Sequence, residues 1–76
     1  MTTSAPITLG LRIRDARKAA GYKNAESLAV RMGVGQRTVQ RWEANESEPT
    51  LSRLREIAAL TGRPLGYFLS NEVQAA

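Results

Sequence analysis

The chain contains no cysteine and no histidine. Disulfides and thiolate catalysis are thereby excluded, with nearly all transition-metal chemistry, and the composition fits a reducing cytoplasm. Long apolar runs are missing too, so no segment is suited to span a membrane. The opening MTTSAPITLG has neither the basic start nor the apolar block of a secretory signal. Enzyme chemistry finds no footing. The carboxylates are scattered, and Ser27, Ser47, Ser52 and Ser70 have no general base at motif spacing. Gly33-Val34-Gly35 lacks the preceding strand and the following lysine of a phosphate loop. No cofactor, metal or small-molecule ligand is expected from this residue set.

What is present is positive charge, unevenly placed. The net charge is +4 over 76 residues, enough for one small domain. Residues 1–45 carry eight Lys/Arg against Asp15, Glu26 and Glu43, a net of +5. Residues 46–76 carry Arg53, Arg55 and Arg63 against Glu46, Glu48, Glu56 and Glu72, a net of −1. The first half therefore has the electrostatic footprint expected of a phosphate-binding surface.

Hydrophobic spacing predicts five short helices and no strand, an all-α fold. The first runs from about Thr8, its N-cap, to Ala20, with Leu9, Ile13, Ala16 and Ala20 inward and Gly21 as its stop. The second spans Ala25 to Arg31 behind an Asn24 cap, with Leu28, Ala29 and Met32 inward. Gly33 supplies the positive φ of a tight turn, and Val34 plugs the corner. The third starts near Gln36 and ends by Asn45, where asparagine tolerates the left-handed conformation almost as glycine does. The fourth spans Leu51 to Leu60, capped by Thr50, with Leu51, Leu54, Ile57 and Ala58 as its apolar stripe. The fifth spans Pro64 to Ser70, with Leu65 and Phe68 inward. Residues 1–7 read as a flexible arm, 8–70 as the domain and 71–76 as a frayed tail.

Residues 25 to 44 carry the function. Two helices about a Gly-centred turn hold the second helix proud of the surface, so that it can enter the major groove of DNA. On that helix Val39, Trp42 and Glu43 share one face, while Arg37, Gln40, Arg41 and Ala44 share the other and Gln36 projects from the tip. Arginine can donate two hydrogen bonds to guanine O6 and N7, and glutamine can pair with adenine N6 and N7. Gln36, Arg37, Gln40 and Arg41 are thus the candidates for base contact. Trp42 reads as a core anchor and not as a base-stacking platform. Lys23, Asn24 and Thr38 could each reach phosphate, and Asn45 is a further candidate there.

From about Leu9 to Leu69 the chain resembles the phage repressor and Cro type of helix-turn-helix domain, the lambda-repressor-like family. Four fragments carry the resemblance: IRDARKAAG, LAVRMGV, VQRWE and EPTLSRLREIAALTG, in that order. It implies a compact five-helix domain in which the third helix reads bases through Gln36, Arg37 and Arg41. It also implies that Arg17 pairs with Glu43 at the foot of that helix, leaving Arg17 near a phosphate. Three features depart from the family pattern. Ala25 stands where glutamine is common, with Lys23 effectively inserted before the cap; Asn45 stands where glycine is usual; and the normally basic loop reads Glu46-Ser47-Glu48. Those two carboxylates would repel the DNA backbone, face a partner, or weaken non-specific binding.

The resulting expectation is a sequence-specific, double-stranded DNA-binding transcriptional regulator, a repressor in the cytoplasm of a prokaryotic cell or a phage-infected host. It would be either a whole Cro-like protein or the N-terminal domain of a longer repressor. One domain of this size makes few base contacts, so two copies are expected on a roughly palindromic operator, with Tyr67 and Leu69 as candidates for the homodimer contact. The competing expectation is a protein-interaction module, an antitoxin or antirepressor with a helix-turn-helix fold.

Overall fold

Three of the helices begin where a threonine or asparagine side chain accepts from a first-turn amide, and the first four end where the chain turns left-handed. In the computed structural model, which describes residues 8–69, α1 is Leu9–Ala19, α2 Ala25–Met32, α3 Gln36–Glu43 and α4 Leu51–Thr61, and residues 65–69 form a short α5. No strand occurs among the described residues. The arm read for residues 1–7, the tail of 71–76 and the end of the fifth helix at Ser70 lie outside them.

Thr8, Asn24 and Thr50 cap α1, α2 and α4 by accepting from the N–H groups of Leu11, Ser27 and Arg53. At the other end of α2, Gly33 adopts φ 73°, and the Gly33 and Val34 N–H groups donate back to the Val30 and Ala29 carbonyls at 3.3 and 3.0 Å. This closes the helix and reverses the chain within a few residues. Asn45 does the same for α3 at φ 62°, the one non-glycine residue among those described with positive φ. Its N–H and that of Glu46 return to the Trp42 and Arg41 carbonyls at 3.2 and 2.9 Å.

The core is formed by Ile13 and Ala16 of α1, Leu28, Ala29 and Met32 of α2, Val39 and Trp42 of α3, Leu54, Ile57 and Ala58 of α4, and Phe68. Helix α1 packs on α3 and α4, and α2 packs on α3. Several expectations are corrected. Ala20 is exposed and lies beyond the end of α1, whose buried stripe is Gly10, Ile13, Ala16 and Arg17. Leu51 is 52% exposed, because the first turn of α4 overhangs the core and its stripe begins only at Leu54. Helices α2 and α4 each run one residue further than expected, while α3 ends at Glu43, just before the left-handed Asn45 expected to stop it. Val34 and Leu65 are only partly buried against the core.

Gly10 is the least expected part of this packing. A methyl group added there would overlap the Glu43 carbonyl oxygen and lie 2.7 Å from that of Trp42, so backbone meets backbone where α1 crosses the end of α3. Gly66, by contrast, has nothing within reach of an added Cβ. We therefore expect Gly10→Ala to destabilise the fold by about 1–3 kcal/mol. Gly66→Ala, at an exposed helical position, should stabilise it by about 0.5–1 kcal/mol. Urea denaturation of the two variants checks both signs.

Candidate nucleic-acid interface

Helix α3 has no side-chain N-cap, since Gly35 precedes it, and it is only eight residues long. An isolated helix of that length is not stable in water, so its presentation depends on what grips it. Val39 and Trp42, 0% and 5% exposed, hold its inner face in the core. At its foot the Glu43 carboxylate is gripped bidentately: Arg17 Nε donates to Oε2 at 2.6 Å and a terminal guanidinium nitrogen donates to Oε1 at 3.2 Å. The other terminal nitrogen of Arg17 donates to the Tyr22 carbonyl at 2.9 Å. Every nitrogen of this buried guanidinium thus has an acceptor inside the domain.

Asn45 adds the second clamp. Its Oδ1 accepts from the Gly10 N–H at 3.0 Å and its Nδ2 donates to Thr8 Oγ1 at 2.9 Å. A glycine would take the left-handed turn more cheaply but could make neither bond. The departure from the family's usual glycine therefore has a structural reason, and the Asn45 amide faces α1. Ala25 is buried at the start of α2, which leaves Lys23 and Asn24 as the polar groups of that corner.

With its inner face gripped, α3 exposes Gln36, Arg37, Gln40 and Arg41, while Thr38 is half-buried. Gln40 and Ala44 form a ridge between two shallow depressions. One is bordered by Arg14, Lys18, Lys23 and Asn24, with Arg17 and Glu43 at its base. The other is bordered by Arg37, Arg41 and Glu46. Among the described residues the ion pairs are Arg17–Glu43 and Arg53–Glu56, so Arg14, Lys18, Lys23, Arg37 and Arg41 all remain uncommitted. The Asn24 Oδ1 is occupied by the Ser27 N–H and hydroxyl at 2.9 and 2.8 Å, leaving its Nδ2 for an outside acceptor.

Arg14 and Lys18 were not singled out from the sequence, yet they stand beside Lys23 on the same wall. Their spacing of four, one helical turn, was the available signal. Tyr67 is half-buried and already engaged: its ring meets Phe68 edge-on at 5.1 Å and lies 5.2 and 4.9 Å from the Arg12 and Arg63 guanidinium carbons. Leu69 borders an apolar groove with Leu9, Pro49, Leu51, Leu54, Phe68 and Glu48. No group of His, Cys, Asp or Glu among the described residues could hold a metal ion. None of the described helices is long and apolar enough to cross a membrane.

A two-helix unit with a left-handed turn, an inner-face tryptophan and an outer face of Gln and Arg defines a helix-turn-helix domain. Residues 13–68 match the family described as Helix-turn-helix, and the chain belongs to that family, of the Cro and repressor type. It is also 35% identical over 63 residues to an uncharacterized transcriptional regulator in the ATPase CF(0) region of Rhodospirillum rubrum. That alignment covers 83% of this chain and 57% of the relative, so the chain spans little more than half the length of that protein.

The buried ion pair gives a direct test of how α3 is held. Removing one partner leaves the other charge desolvated and unpaired, so Glu43→Ala should cost about 3–5 kcal/mol. Replacing both partners together, as Arg17→Met with Glu43→Leu, should cost far less, because no stranded charge remains. Guanidinium chloride denaturation of the single and double variants measures the difference.

Proposed function

We propose that this chain is a sequence-specific, double-stranded DNA-binding transcriptional regulator that reads the major groove with α3, of the phage or prokaryotic repressor kind. The observation that carries the reading is the division of charge. Arg17 is consumed in bracing α3, while Arg14, Lys18, Lys23, Arg37 and Arg41 flank its outer face with no internal partner among the described residues. Membership of the helix-turn-helix family and similarity to a protein named as a transcriptional regulator support it.

In this reading Arg37 and Arg41 donate to guanine O6 and N7, and Gln36 and Gln40 pair with adenine. Lys23, Asn24 and Thr38, joined by Arg14 and Lys18, neutralise or hydrogen-bond the flanking phosphates and fix the register of α3. Arg17 and Asn45 act chiefly by holding the reader in place. Four reading side chains specify too little sequence for one copy to act alone. A homodimer on a roughly palindromic operator therefore follows, with half-site centres about 34–36 Å apart. Leu69 with its groove, and Tyr67 on the same short helix, are the candidate contacts.

A second reading, an antitoxin-like or antirepressor-like protein-interaction module, draws on exposed Glu46 and Glu48 and on the apolar groove beside Glu48. The two separate by titration. Duplex affinity should fall steeply between two salt concentrations, because each neutralised phosphate releases counterions. A protein partner bound with no duplex affinity at low salt would select the second reading. On a cognate site Arg41→Ala should cost about 1–3 kcal/mol and relax one base position. Lys23→Ala should weaken binding to all sequences alike and lower the salt slope by about one. Fluorescence anisotropy on cognate and scrambled duplexes distinguishes these two outcomes.

A further inference from the structure

The acidic turn after α3 carries a residue placed to act in recognition. The Glu46 N–H donates to the Arg41 carbonyl at 2.9 Å, so the chain folds back beside the last turn of α3 instead of leaving it. Glu46 therefore borders the same depression as Arg37, Gln40 and Arg41, and the small Ala44 leaves the space between them open. Its side chain is exposed and enters no ion pair among the described residues, although two arginines border the same hollow. Glu48, two residues on, lies instead against the apolar groove of Leu9, Leu51 and Leu69.

An ionised carboxylate only accepts hydrogen bonds. It cannot pair with phosphate, guanine O6 or thymine O4, which are acceptors themselves. The cytosine N4 amino group is the matching donor on the major-groove floor. Adenine also offers a donor at N6, but its adjacent N7 presents a lone pair to the carboxylate, so cytosine is favoured. We infer that Glu46 is a specificity-determining residue that accepts from cytosine N4 beside the guanine taken by Arg41. An arginine donor and a glutamate acceptor on one edge of α3 complement the two edges of neighbouring or paired G and C. On other sequences the same carboxylate faces acceptors and phosphate, and it lowers the affinity of the mismatched complex.

This inference rests on the DNA-reading function proposed above. It is tested by selecting binding sites from random duplexes with the unaltered chain and with the Glu46→Ala, Glu46→Gln and Glu48→Ala variants. Because only the backbone of Glu46 is engaged, circular dichroism should show all four folded. The unaltered chain should enrich cytosine at one position next to the Arg41-dependent guanine, by roughly five- to 150-fold over other bases. Glu46→Ala should flatten that position alone, Glu46→Gln should move it toward adenine, and Glu48→Ala should leave the base profile unchanged. If Glu46→Ala enriches the same bases at every position and merely binds all DNA more tightly, the side chain is an electrostatic brake only and the inference is overturned. If the unaltered chain enriches no sequence, the DNA-reading function itself fails and takes the inference with it.

Discussion

The seam between α1 and the foot of α3 is the constraint on which the rest of this domain depends. Three contacts converge there within a few residues. The Arg17 guanidinium holds the Glu43 carboxylate, Gly10 lets α1 touch the Trp42 and Glu43 carbonyls, and the Asn45 amide ties both Gly10 and Thr8. Helix α3 is too short and too poorly capped to persist by itself. Its orientation is fixed at one end by the left-handed turn at Gly33 and at the other by this seam. The Coulombic attraction of a buried pair is largely offset by desolvation, so the value of Arg17–Glu43 lies in geometry. It permits one arrangement of α1 against α3 and penalises others.

Fixing α3 in this way divides the charged residues into two sets. Arg17 is buried and Glu43 partly so, each satisfied by the other, and they set the frame. The basic residues around the outer face are solvated and uncommitted, available to a polyanion without breaking anything inside. Binding that draws only on the second set leaves the frame rigid. In the proposed DNA-reading function the side chains of the outer face then lose little conformational freedom beyond their own rotamers, which favours specific over loose association. In the same proposed complex the acidic turn opposes the basic face at one edge and so limits where a phosphate backbone can lie.

The fold was legible where local chemistry decides it. Capping residues Thr8, Asn24 and Thr50, the left-handed Gly33 and Asn45, and the core positions Ile13, Leu28, Val39, Trp42, Leu54 and Ile57 follow from spacing and residue type, and the structure places them so. Long-range geometry was less legible. Gly10 is not singled out by the sequence because its partner is a backbone carbonyl 33 positions away (Glu43), which no periodicity reveals. A glycine inside a helix costs roughly 1 kcal/mol relative to alanine, and that cost was the one hint of a packing role. Leu51 and Ala20 were misplaced because an apolar side chain at helical spacing need not lie over the core at the helix's own end. For the candidate site, the exposure of Gln36, Arg37, Gln40 and Arg41 could be read from the helix wheel, and the Arg17–Glu43 pair from the family resemblance. That Arg14, Lys18 and Lys23 form one wall, and that Glu46 turns back to the arginines, required the path of the chain between helices.

The central claim is that the outer face of α3, braced by α1, contacts duplex DNA. The most direct measurement is the change in backbone amide chemical shifts of the isotopically labelled chain on adding a duplex at low salt. The largest changes are expected at residues 36–41 and at Lys23, Asn24 and Glu46, with residues of the apolar groove beside Leu51 following only if a second copy binds. Changes confined to that groove or to the α2–α4 face around Arg31 and Leu60, with 36–41 unmoved, would contradict the claim.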